Sequence, residues 1–184
     1  MKISLITVSY NSEKTIRETF ESVRKQKTEG FELEYIHVDG LSNDATMDIS
    51  DNFDDVITKR VSEKDSGIYN AMNKGLEIAS GDVVGFLNSD DVFLENDILF
   101  SIARAFDEKN IDIVYGNINY VNNNGKILRK WISGNPKSFA NGWHPPHPAF
   151  YAKKALFLSE GNFDESLRIA ADFDLMLRFM EVSG

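Results

Sequence analysis

Short apolar runs alternate with amphipathic, charge-bearing stretches along the chain, and that alternation predicts its architecture. Ile3 to Val8 is apolar and β-branched and stops at Ser9-Tyr10-Asn11-Ser12, the pattern of a buried strand feeding a polar loop. Ile16, Phe20 and Val23 follow at helical spacing with charges between them, which predicts an amphipathic helix capped by Ser12 and ending near Gly30. Leu33 to Val38 reads as a second strand closed by Asp39-Gly40, Asn43 to Thr46 opens a second helix, and Val56 to Val61 is a third strand. Tyr69, Met72, Leu76 and Ala79 space a third helix whose stripe reads as core, and Gly81-Asp82 turns the chain into the strand Val83 to Leu87.

Parallel neighbours need a helix-length return path, so this order predicts an α/β fold with a mostly parallel sheet covered on both faces. Ligands of such sheets bind beyond the carboxyl ends of the strands. Three of those ends are polar or acidic: Thr7 to Asn11, Asp39 to Asp44, and Asn88 to Asp91. The second half changes character. After a helix over Ile98 to Phe106, Ile111 to Val121 and Lys126 to Trp131 flank Asn122-Asn123-Asn124-Gly125, which predicts an antiparallel hairpin. Ser133 to Pro148 reads as an ordered loop over a site, Phe150 to Ala152 as a short strand, and Asp172 to Val182 as a final amphipathic helix.

Composition narrows the field. A chain of 184 residues, 42% hydrophobic and 27% charged, suits one globular domain and excludes a disordered tail, a collagen-like repeat or a disulfide-stapled scaffold. The net charge of −9 argues against a partner held by bulk electrostatics, such as nucleic acid or an anionic membrane, so an anionic ligand must be met locally. With no cysteine there is no disulfide, thiolate metal site or cysteine nucleophile. The apolar start is too short for a signal peptide and no stretch approaches the roughly 18 apolar residues of a membrane span, which makes a cytoplasmic location the expectation.

Asn88-Ser89-Asp90-Asp91 places two adjacent carboxylates at a strand end, where a cation or water must offset their repulsion; hard carboxylate oxygens suit Mg²⁺ or Mn²⁺. Alone, a Ser-Asp-Asp tripeptide is more often a solvated turn. Asp39 ends the second strand, where it can hydrogen-bond a nucleobase or ribose edge, whereas Asp44 is better placed to cap the next helix. Ser9 to Ser12 is no Gly-x-Gly-x-x-Gly cradle and there is no P-loop, which argues against a dinucleotide-dependent dehydrogenase.

Thr7-Val8-Ser9-Tyr10-Asn11, Asp39-Gly40-x-Ser42-x-Asp44-x-Thr46, Asp65-Ser66-Gly67-Ile68-Tyr69-Asn70-Ala71-Met72-Asn73-Lys74-Gly75, Gly81-Asp82 and Leu87-Asn88-Ser89-Asp90-Asp91 fall in order over essentially the whole chain. Together they resemble a family 2 glycosyltransferase of the GT-A fold, a Rossmann-like α/β/α sandwich. The resemblance implies that Thr7, Ser9 and Asn11 lie beside the nucleotide, that Asp39 binds the base, usually uracil, and that Asp65 and Lys74 line the donor pocket. Asp90 and Asp91 match the Asp-x-Asp position that holds the ribose and a divalent metal on the diphosphate; Asn88 stands where a first Asp is often found, which leaves open which of the two carboxylates ligates the metal. Asp172, in Ala170-Ala171-Asp172-Phe173-Asp174, matches the family's catalytic base, although both acids also suit a helix start. His147, before Phe150, matches a histidine that faces the donor site; a loop histidine is otherwise usually solvated.

The implied activity is metal-dependent, inverting transfer of a sugar from a nucleotide-diphosphate donor, a UDP-sugar foremost, to a saccharide or lipid-linked acceptor in surface-polysaccharide assembly, with Mn²⁺ or Mg²⁺ as cofactor and a peripheral membrane contact left open. Nucleic acid is not an expected partner. The rivals are a nucleotidyltransferase on a similar sheet, which would need a Gly-rich, Arg-bearing first loop, and a non-catalytic nucleotide-sugar-binding domain. Residues 1–184 are expected to form one catalytic domain, with 1–92 as its nucleotide half and 93–184 as its acceptor half. Similar enzymes usually continue past the helix that Asp172 opens, so a truncated catalytic core is expected.

Overall fold

The computed structural model describes residues 1–108, 110–122 and 124–182. In chain order the elements are β1 (Lys2–Ser9), α1 (Ile16–Arg24), β2 (Glu32–Asp39), α2 (Thr46–Ser50), β3 (Lys59–Ser62), α3 (Ile68–Ile78), β4 (Val83–Phe86), α4 (Ile98–Phe106), β5 (Ile113–Tyr115), β6 (Ile118–Val121), β7 (Ile127–Trp131), β8 (Phe150–Lys153), α5 (Lys154–Glu160) and α6 (Ala171–Val182). Six strands form one sheet in the order β3-β2-β1-β4-β8-β5, and β6 and β7 form a separate two-stranded sheet. β3, β2, β1 and β4 run parallel, while β8 runs antiparallel to both of its neighbours.

The period of two along the strands splits the core between the faces of the sheet. Ile6, Val8, Ile36 and Val38 pack toward α3 and α6, with Met72, Leu76, Leu175 and Phe179. Ile3, Leu5 and Tyr35 pack toward α1 and α4, with Phe20 and Leu99. β1 and β2 are in register from Lys2 opposite Glu32 to Ser9 opposite Asp39, so both strands end level and their last polar side chains lie side by side. At the other end Glu34 is buried; burial pushes its carboxyl up, but Lys59 at 2.8 Å, the Ser4 hydroxyl at 2.5 Å and the Ser80 amide at 2.7 Å outweigh it and hold it well below the usual carboxylate range.

The structure moves several expected boundaries. α1 begins after Thr15, not Ser12; the Ser12 carbonyl accepts the Ile16 amide and its side chain turns to Ser89 instead. The third strand starts only at Lys59, because Val56 and Ile57 close a turn onto Phe53. The expected strand from Ile111 to Val121 breaks at Gly116-Asn117, where Ser133 donates to the Gly116 carbonyl and to the Asn117 side chain; β5 thus joins the main sheet and β6 the hairpin. In the hairpin turn Gly125 takes φ 73° and Asn122 accepts the Lys126 amide at 3.0 Å; Asn123 lies outside the described residues. Lys154–Glu160 is helical, which the sequence reading did not anticipate. No helix among the described residues is long and apolar enough to cross a membrane.

Candidate active site

A cleft of about 630 Å³ opens above the carboxyl ends of β1 and β4, lined by Val8, Asn11, Ser12, Asp44, Ile68, Asn88, Ser89 and Asp90 among others. A smaller hollow of about 340 Å³, lined by Met1, Gly81, Phe106 and Leu158, lies by the amino-terminal ends of the parallel strands, where this class of sheet does not bind ligands.

Asp39 is fully buried, and its carboxylate is filled by protein donors. Oδ1 accepts from the hydroxyls of Ser9 at 3.0 Å and Ser42 at 2.5 Å, and Oδ2 accepts from the Ser42 amide at 2.8 Å and the Ser62 hydroxyl at 2.9 Å. Burial pushes its pKa up, and these four donors more than reverse that, leaving it below the ordinary value. A one-way chain of donors stands behind Ser9. Arg60 Nε donates to Ser50 Oγ at 2.8 Å, Ser50 Oγ lies 2.8 Å from His37 Nδ1, and His37 Nε2 lies 2.8 Å from Ser9 Oγ. Ser9 spends its only proton on Asp39, so His37 must donate through Nε2 and accept through Nδ1, which fixes the neutral tautomer. Burial, helped by Arg60 and opposed by Asp39, pushes the His37 pKa down to about 4.

The loop after β2 is held just as tightly. A Cβ at Gly40 would sit 2.4 Å from Asp65 Oδ2, so the two loops approach closely there and a side chain at this position would push the Asp65 carboxylate aside. Leu41 is forced into the left-handed region at φ 64° and its side chain is exposed. Asn11, at φ 51°, accepts the Asn43 amide at 3.0 Å, while its own amide donates to Ser42. Asp44 accepts the amide of Thr46, the first residue of α2, at 3.0 Å and also faces the cleft.

Asn88 to Asp91 forms a turn closed by the Asp91 amide on the Asn88 carbonyl at 3.1 Å. Asp90 is exposed, whereas Asp91 is half-buried and accepts from the Asn88 side chain at 3.1 Å. Burial first, and repulsion from Asp90 second, raise the Asp91 pKa, which marks a position where a cation would be favourable. Among the described residues no group of three or more His, Cys, Asp or Glu side chains is arranged to hold a metal by itself. Two hard carboxylates that leave the remaining positions to water and phosphate oxygens fit Mg²⁺ or Mn²⁺.

Asp172 opens α6 and accepts from the Tyr69 hydroxyl at 3.2 Å. Tyr69 was expected to be plain core; its ring does stack on Phe163 at 5.6 Å, but its hydroxyl serves Asp172, and Ile68 beside it lines the cleft. The stripe of apolar spacing on α3 hid this dual use. Asn70, next to Tyr69, and Asn73, one turn further, donate to Glu165 at 2.9 and 2.8 Å and clamp the segment leading to α6. His147 is buried between Phe86, stacked at 5.5 Å, and Phe163, edge-on at 5.6 Å; burial pushes its pKa down to about 4 against the pull of Asp172. Asp174 pairs with Arg178 at 2.9 Å, and Arg178 also donates to the Asn162 carbonyl, so this pair anchors the helix start.

Ser9, Asn11, Asp39 and Asp90 thus cluster at neighbouring strand ends, with Asp91 in the same turn as Asp90. Thr7 is different. It is fully buried, its hydroxyl meets the Tyr35 hydroxyl at 2.9 Å in the core, and it does not line the cleft. Lys74 is spent on Glu63 at 2.8 Å and the Lys64 carbonyl at 2.7 Å, where it holds the loop carrying Asp65.

This fold and these motifs are those of a glycosyltransferase, and the model of glycosyl transferase family 2 matches residues 4–167. The chain belongs to that family. It is 30% identical to the uncharacterized glycosyltransferase Rv1514c of Mycobacterium tuberculosis over 96% of this chain and 68% of that protein. It is 33% identical to WfgD of Escherichia coli, a UDP-Glc:α-D-GlcNAc-diphosphoundecaprenol β-1,3-glucosyltransferase, over 71% of this chain and 51% of that one. S. aureus TarS 1-349 in complex with UDP-GlcNAc superposes with a TM-score of 0.73 at 27% identity, covering 97% of this chain and 53% of TarS 1-349. The matched segments therefore cover about half of WfgD and of the TarS fragment.

Proposed function

We propose that this chain is the catalytic part of an inverting, metal-dependent glycosyltransferase that moves a sugar from a UDP-sugar to a saccharide or lipid-linked acceptor in surface-polysaccharide assembly. The observation that carries this reading is the cleft lined by Asp90 on one side and by Ile68 at the α3 start on the other, where the neighbouring Tyr69 donates to Asp172. The UDP and UDP-GlcNAc complexes of TarS and the lipid-linked acceptor of WfgD support the donor and acceptor classes.

Asp39 reads the base from the end of β2, held there by its serines, with Ser9 and Asn11 on the neighbouring strand end. One of the serine hydroxyls must turn away to free a lone pair for a base N–H. Asp91, with Asp90, would hold Mn²⁺ or Mg²⁺, which when bound supplies Lewis-acid stabilisation of the leaving diphosphate. Tyr69 occupies one oxygen of Asp172 and leaves the other for the acceptor hydroxyl. Asp172 takes the hydroxyl proton as the acceptor oxygen bonds to the anomeric carbon, and the bond from that carbon to the diphosphate breaks on the opposite face. One base and direct displacement invert the anomeric centre. Buried beside Asp172 and neutral near pH 7, His147 adds no positive charge that would weaken the base.

Calorimetric UDP titration with Mn²⁺ or with chelator, together with transfer assays over a panel of UDP-sugars, tests this. Asp91→Asn should abolish metal-dependent UDP binding, whereas Asp172→Asn should keep UDP binding and lose transfer. UDP affinity indifferent to Mn²⁺ sinks the metal reading, and an active Asp172→Asn enzyme sinks the base.

A further inference from the structure

β6 and β7 pair only with each other and stand apart from the main sheet. This small hairpin does not hide its apolar side chains: Leu128 is 66% exposed and Ile132 just beyond it 65%, with Tyr120, Val121 and Ile127 also exposed. Single exposed aliphatics are ordinary, but this many on one two-stranded unit make a patch with a purpose.

The charge around it runs against the rest of the molecule. Between Asp112 and Glu160 the chain contains no acidic residue, so all 29 Asp and Glu of a protein with net charge −9 lie elsewhere. Lys126, Arg129, Lys130 and Lys137 are exposed in this region, and none takes part in an ion pair among the described residues. Leu128, Lys130 and Ile132 alternate along the chain, so aliphatic and cationic groups share a side. Arg129 lies over the rings of Tyr120 and Trp131, at 5.5 and 5.7 Å. The hairpin also reaches the site. Trp131 meets His144 edge-on at 4.9 Å, and His144 meets Phe173, the neighbour of Asp172, at 5.3 Å.

We propose that the β6–β7 hairpin docks this protein on an anionic phospholipid bilayer. Leu128 and Ile132 enter the interfacial layer while Lys126, Lys130 and Lys137 meet lipid phosphates. Cations interleaved with aliphatics are the chemistry that binds such a surface, and the overall negative charge confines docking to this face. The Trp131–His144–Phe173 contacts then set Asp172 beside the membrane, where a lipid-linked acceptor would present its sugar.

Co-sedimentation of the full 184-residue chain with vesicles tests this without any transfer reaction, so the result stands apart from the donor and base assignments. Binding is expected to phosphatidylglycerol-containing vesicles and not to pure phosphatidylcholine, and it should be lost in high salt. Lys126→Gln with Lys130→Gln should weaken it about 25-fold, at about 5-fold per cation, and Leu128→Ser with Ile132→Ser at least about 10-fold. Circular dichroism and Tm should be unchanged, since these side chains are exposed. The proposal is overturned by no vesicle binding, by equal binding to both lipids, or by double variants that bind like the parent. A dimer that Leu128→Ser with Ile132→Ser dissociates would also overturn it, by assigning the patch to a second copy.

Discussion

Acidification should loosen this protein through two imidazoles well before its carboxylates matter, and His37 allows the effect to be isolated. In the native chain His37 is fully buried, donating to Ser9 and accepting from Ser50, with its pKa pushed down to about 4 from the ordinary 6.5. The folded value lies below the unfolded one, so the unfolded chain takes up the proton first. Stability is complete above pH 6.5, falls as the pH drops toward 4, and is not further reduced by this group below that. Between about pH 7 and about pH 5 the unfolded imidazole becomes almost wholly charged while the native one stays neutral, which costs about 2 kcal/mol. His147, buried and also pushed down to about 4, adds a similar loss, so the parent should lose about 4 kcal/mol over that interval. His37→Gln removes one titration, yet its amide can still donate to Ser9, so it should lose only about 2 kcal/mol. Urea unfolding followed by tryptophan fluorescence at the two pH values and constant ionic strength measures both. A parent whose stability is the same at both, or a His37→Gln variant that declines as steeply as the parent, would refute the reasoning.

Three further outcomes follow from packing and from the site. Gly85 lies opposite Tyr151, and a Cβ there would sit 2.1 Å from the tyrosine ring, so Gly85→Ala should cost about 1–3 kcal/mol and lower Tm by roughly 3–8 °C in calorimetry. Glu34→Ala returns the partly exposed Lys59 to water but leaves the Ser4 and Ser80 donors without their acceptor, and should destabilise by about 1–3 kcal/mol in chemical denaturation. Tyr69→Phe deletes one hydrogen bond to Asp172 and should lower kcat about 5–10-fold with the donor KM unchanged; a donor KM that rises instead would assign Tyr69 to nucleotide binding.

Much of this was legible in the sequence because period and punctuation are local. Ile3 to Val8, Leu33 to Val38 and Val83 to Leu87 announce strands by composition, and the acids after two of them announce the ligand-facing end. Less legible was anything decided by partners distant in the chain. Thr7 sits in a loop-proximal motif, yet strand alternation turns it onto Tyr35. Lys74 looks free on its helix, but Glu63 and the Lys64 carbonyl claim it. Tyr69 follows the apolar spacing of α3 while its hydroxyl answers to a residue a hundred positions on. The donor chain from Arg60 to Asp39 has no sequence signature, since it joins three strands and a helix through residues that look unremarkable singly. The break at Gly116-Asn117 depends on Ser133, which no local pattern could foretell.

The reversed strand β8 carries a consequence for synthesis. β4 is complete at Phe86, but its outer edge is closed only when residues 150–153 arrive to lie between it and β5. A ribosome-borne chain that has not reached Lys153 therefore carries the apolar run Val83-Val84-Gly85-Phe86 with one flank bare, a template for pairing with other nascent chains. Cutting after residue 92 would leave four strands with that open flank on one side and only β5 and β8 of the main sheet on the other. Maturation of the first half of the chain thus waits on the second, and shielding during translation matters most while the stretch between β4 and β8 is being made.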